Sequence, residues 1–92
     1  MISTYTVPLE EVDKLRDAHL AFLDEKEAAG LVVSAGRQDP PNGGVVILDV
    51  ASEAEAFAVM ADDPYLKGKV GEYKAVGFNP SRGVLQGWTP AG

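Results

Sequence analysis

Leu31-Val32-Val33-Ser34-Ala35-Gly36 and Val45-Val46-Ile47-Leu48-Asp49-Val50 are two apolar runs separated by Gln38-Asp39-Pro40-Pro41-Asn42-Gly43-Gly44. Two prolines and an Asn-Gly pair exclude helix and central strand from the middle segment, which reads as a loop between two strands. The second run is almost continuously apolar, which predicts cover on both of its faces.

Outward from this centre, each strand meets a helix. On the N-terminal side, Gly30 stands where a helix ends, just past its last turn. That helix is predicted from Pro8 to about Ala29. Proline is tolerated at a helix start, and Glu10, Glu11 and Asp13 place negative charge at the positive end of the dipole. Before it, Ile2 to Val7 carry β-branched and aromatic residues and read as a strand. On the C-terminal side, Ser52-Glu53-Ala54-Glu55 has the form of a capping box, with Ser52 as N-cap and Glu55 reaching back. An alanine-rich helix follows through Met60, and Pro64 ends it. Glu72 to Phe78 reads as the fourth strand, broken by Pro80 to Gly83. Val84 to Trp88 is either a short edge strand or a tail that packs on a partner.

The order is βαββαβ. With right-handed crossovers it predicts an α+β, ferredoxin-like fold: a four-stranded antiparallel sheet with both helices on one face. The second face of such a sheet stays open. Since the third strand is apolar, a second copy of the same sheet is the simplest cover, which makes a homodimer the expected state.

The chain has 92 residues, which suggests one domain over 1–92, and 46% of them are hydrophobic. A chain of this length buries only about 60–65% of its unfolded surface, so dimerisation would add useful burial. The net charge is −6. No basic stripe is present to neutralise phosphates, so no nucleic-acid partner is expected. An anionic membrane surface is disfavoured by the same charge, and no apolar run approaches a membrane span. No signal peptide is visible at Met1-Ile2-Ser3-Thr4-Tyr5, and the chain contains no cysteine. The cytoplasm is the expected compartment. One histidine and no cysteine argue against a transition-metal site. No Gly-rich turn runs into Lys-Ser or Lys-Thr, so no phosphate loop is present. No cofactor is expected.

The single histidine, His19, falls at the centre of the stripe formed by Val12, Leu15, Phe22 and Leu23 on the first helix. An inward imidazole needs a partner, and a carboxylate is the commonest one. Asp62-Asp63-Pro64-Tyr65 supplies candidates where the second helix ends. Asp63 before proline is also an ordinary turn residue.

Arg16-Asp17-Ala18-His19-Leu20, then Ser34-Ala35-Gly36 at a strand end, then Asp62-Asp63-Pro64-Tyr65 after an alanine-rich helix, resemble the YciI-like family of the dimeric α+β barrel superfamily. The resemblance covers roughly residues 1 to 80 and rests on the order and spacing of these strings. It implies two facing sheets across a dimer, with a cleft between each sheet and its helices. It also implies a His–Asp pair as a catalytic dyad, at His19 and Asp63, and a pocket-lining serine at Ser34. A member of the family is similar to a dehydrochlorinase of chlorinated hydroquinones. Gly36-Arg37 stands where the family usually has Gly-Pro, and the tail beyond Pro80 is longer than expected.

For a small-molecule ligand, the candidate contacts are Tyr5, Arg16, Ser34, Arg37 and Tyr65. Arg16, three residues before His19, either binds a carboxylate or phenolate or pairs with Asp13 or Glu53. Arg37 is either a clamp or a surface group, and Tyr5 and Tyr65 are either contacts or packing. Ser34 lacks a nucleophile elbow and can at most donate a hydrogen bond. Two readings of function follow. One is an enzyme that moves a proton without a cofactor, in an isomerisation or elimination on a cyclic or aromatic substrate. The other is a non-catalytic ligand-binding or accessory dimerisation module.

Overall fold

A computed structural model describes residues 1–89. The expected domain limit at residue 92 lies outside the described residues. The strands are β1 (Ile2–Tyr5), β2 (Val32–Arg37), β3 (Gly44–Leu48) and β4 (Gly71–Lys74). The helices are α1 (Leu9–Asp13), α2 (Arg16–Ala28), α3 (Glu53–Met60) and α4 (Pro64–Lys67), and a 3₁₀ turn spans Gly83–Leu85. The sheet order is β2-β3-β1-β4 with every neighbouring pair antiparallel, which is the ferredoxin-like arrangement.

Alternation divides the sheet into two faces. Met1, Ser3 and Val46 are buried beneath the helices. Phe22 of α2 and Ala56 and Met60 of α3 pack on Met1 and Val46, with Leu23, Val32, Leu48 and Tyr73 around them. A smaller cluster joins Val12, Tyr65 and Val70 to Tyr5, Val7 and Leu15. On the other face, Ile2 and Val45 are paired across β1 and β3, and both are exposed.

The long first helix is in fact two. Leu15 N–H bonds to Val12 C=O at 3.0 Å, a tight turn between α1 and α2. No glycine or proline marks this break. Leu15 instead packs on the cluster of Val12, Tyr65 and Val70, so tertiary packing overrides local helix propensity. The capping box forms with one change. Ser52 Oγ accepts from Glu55 N–H at 3.2 Å, but Glu55 Oε2 reaches Ala51 N–H at 3.3 Å rather than the N-cap itself. Beyond α3 the chain starts a further helix that the sequence reading lacks, with Asp63 as N-cap and Pro64 in the first position.

The C-terminal expectations also change. The ladder of β4 stops at Lys74 rather than Phe78. Val84 to Trp88 forms no strand. Its segment turns at Gly83–Leu85, and the Trp88 indole donates to Asp49 Oδ1 at 2.9 Å. No described helix is long and apolar enough to cross a membrane.

Candidate functional site

A cavity of about 240 Å³ opens between the inner sheet face and α2. Ser3, Tyr5 and Tyr73 rise into it from β1 and β4, and Ala35 and Arg37 from β2. Arg16, His19, Leu20 and Leu23 descend from α2, and Tyr65 closes one side from α4.

Asp63 is fully buried beside this cavity. Its Oδ1 accepts from Tyr65 N–H at 3.2 Å, the capping bond of α4, and lies 2.6 Å from His19 Nδ1. Its Oδ2 accepts from the Tyr73 hydroxyl. Each of these donors replaces a hydrogen bond that water would otherwise supply, which is the condition for burying a carboxylate. Burial, and then the bond to Asp63, push the Tyr73 phenol above its usual range, so it stays a donor at neutral pH.

An ionised carboxylate only accepts, so the Nδ1 position of His19 carries the hydrogen toward Asp63. In the neutral ring the lone pair is then on Nε2. No described residue bonds Nε2, and among the described residues no unpartnered side-chain nitrogen or oxygen is sealed from solvent. Nε2 therefore meets the cavity, while the side chain as a whole is only 12% exposed. The Tyr65 ring stacks on the imidazole with centroids 3.8 Å apart and planes 6° apart. Tyr5 meets Tyr65 edge-on at 5.9 Å. Burial raises the Tyr65 phenol as well.

The two arginines differ. Arg37 donates to Tyr5 Oη at 3.1 Å and to Asp13 Oδ1 at 2.5 Å, so its charge is answered within the wall, and the Asp13 bond raises its pKa. Arg16 lines the same cavity and pairs with neither Asp13 nor Glu53.

Of the candidate residues, the fold gathers His19, Asp63, Tyr5, Tyr65, Arg16 and Arg37 around one cavity. Ser34 is a correction: it lies outside. β2 pairs Val32 with Leu48 and Ser34 with Ile47, a bulge that inverts the alternation at Val33. Val32 therefore packs toward the core while Ser34 is exposed on the opposite face. The buried serine beside the cavity is Ser3, whose Oγ accepts from Gly44 N–H at 2.8 Å. Ser3 and Tyr73 were missed, although alternation with Tyr5 in β1 and with Glu72 in β4 carries the signal. Among the described residues no group of three or more His, Asp or Glu is placed to hold a metal ion.

No curated protein and no solved structure matches the chain. The family model of the YCII-related domain does, over residues 1–79 of 92. A match of that extent, on a chain with this strand order, makes the protein a member of the YCII-related family, a family of dimeric α+β barrels.

Proposed function

We propose that this protein is an enzyme that moves a proton on a small cyclic or aromatic molecule without a cofactor. The observation that carries the reading is the His19–Asp63 contact of 2.6 Å, with the opposite ring nitrogen left to the cavity. His19 Nε2 takes a proton from a substrate carbon, and the C–H electron pair forms a π bond to the neighbouring carbon, displacing either that carbon's existing π pair or its leaving group. In an isomerisation the imidazolium returns the proton at another carbon. In an elimination a leaving group departs as an anion, and the proton is lost to water. Asp63 holds the tautomer and offsets the charge of the imidazolium.

The same reading includes a homodimer built on the exposed sheet face. Ile2 and Val45 stand side by side there, and Val76 and Phe78 are exposed on the segment that follows β4.

The test is solvent-deuterium incorporation into a panel of cyclic carbon acids, read by mass spectrometry after chelator treatment. The wild type should exchange at least one panel member, and His19→Asn should slow that exchange by about 10²–10⁴-fold. Exchange that persists unchanged in His19→Asn would rule His19 out as the base.

A further inference from the structure

Arg16 is a cation in the cavity wall that no described residue answers with an ion pair. It stands one helical turn before His19 on α2, and both side chains line the cavity. Two carboxylates beside the cavity are engaged elsewhere. Asp13 is bonded by Arg37, and Asp63 by His19, Tyr73 and the Tyr65 N–H. Among the described residues Arg16 makes no ion pair, in a chain whose net charge is −6. Its planar fork of N–H donors therefore remains open for a carboxylate or phenolate.

Size and wall chemistry narrow the occupant. A cavity of about 240 Å³ exceeds the roughly 150 Å³ that holds a benzene ring in an apolar protein cavity, so one substituted six-membered ring fits. Leu20 and Leu23 supply apolar contact, and Tyr5 supplies an aromatic wall. Arg37 is already neutralised by Asp13, so one uncommitted positive charge faces the ligand. A single negative charge matches it better than a phosphate dianion.

We propose that the cavity takes a single-ring, planar monoanion whose carboxylate or phenolate is held by Arg16 beside His19 Nε2. This proposal rests on the proton-transfer reading of the same site and gives that reading a substrate class. It also assigns Arg16 a second role. Proton removal leaves negative charge on the ligand, and Arg16 is the cation positioned to stabilise it as it develops.

The experiment uses benzoate as the probe, benzamide as its neutral counterpart and benzylamine as its cationic one. Each is titrated into isotope-labelled protein and followed by NMR. Benzoate should bind about tenfold more tightly than benzamide, a difference of about 1.4 kcal/mol, and benzylamine more weakly still. Arg16 is exposed, so Arg16→Gln should fold, which the spectrum itself checks, and should abolish the preference for benzoate. Arg16→Lys should keep part of it. His19→Asn should keep the preference while losing proton transfer, so the two readings fail separately. Benzoate binding no tighter than benzamide overturns the proposal. So does a preference that survives Arg16→Gln, or the absence of binding by either probe at millimolar concentration.

Discussion

His19 Nδ1 and Asp63 Oδ1 stand 2.6 Å apart although 44 residues separate them in the chain. The contact is built by the start of α4. Asp63 caps that helix through Tyr65 N–H, which holds its carboxylate, and Tyr65 turns its ring flat against the imidazole. Asp63-Pro64-Tyr65 thus grips both the edge and the face of one histidine. Asp63 is the turn residue that the sequence suggests, and the same carboxylate contacts the imidazole.

Tyr73 closes the other side of that carboxylate, and its raised pKa has a consequence for stability. The sign follows from proton counting. Above the ordinary phenol pKa of 10.0 the unfolded chain releases this proton while the folded chain keeps it. The stabilisation is complete below pH 10 and is lost as pH rises toward the folded value. In urea titrations above pH 10, wild-type stability should fall more steeply than that of Tyr73→Phe, by up to about 1.4 kcal/mol per pH unit. Parallel slopes would mean that Tyr73 is not held as a donor.

Much of this arrangement is legible in the sequence, and each failure has a local cause. His19 is correctly turned inward because it shares a helical phase with Phe22 and Leu23, and that phase survives the break at Leu15. Ser34 is misplaced because a bulge carries no residue signature in Val32-Val33-Ser34, yet it reverses every side chain beyond it. The Arg37–Asp13 pair joins β2 to α1, a contact between elements that local patterns do not encode.

Gly43 marks a place where the backbone admits no side chain. A Cβ there would lie 1.8 Å from Ser3 C=O, so β1 and the loop before β3 would have to separate. Gly43→Ala should destabilise the protein by about 1–3 kcal/mol and shift the NMR signals of Ser3 and Gly44. An unaltered urea midpoint would show that the loop moves aside freely.

Met60 is fully buried in the principal core against α2 and the inner sheet face. Met60→Ala should cost about 2–5 kcal/mol, read from chemical denaturation. A loss below that range would mean that the site collapses around the smaller side chain.

The proposed dimer makes a prediction about the opposite face. Ile2 is 37% exposed and paired with Val45, so an aspartate there meets solvent in a monomer and an apolar surface in a dimer. Wild type should scatter light as a dimer at micromolar concentration, and Ile2→Asp as a folded monomer. A monomeric wild type would end the homodimer reading.

The decisive variant for the site is Asp63→Asn. It keeps the size and one acceptor oxygen, so the bond from Tyr65 N–H can persist and α4 remains capped. It removes the negative charge that favours an imidazolium beside it. Deuterium exchange into substrate should therefore slow by about tenfold or more, because the imidazolium that forms during proton removal loses its counter-charge. His19 is the chain's single histidine, so its ring signals are observed without overlap and report whether the ring keeps its place. Loss of the helix cap alone would disturb the Tyr65 and Leu66 signals. Slower exchange with those signals in place is specific to the charge. Unchanged exchange in a folded variant would mean that the carboxylate and the ring are neighbours without coupling, and His19 would then have to act alone.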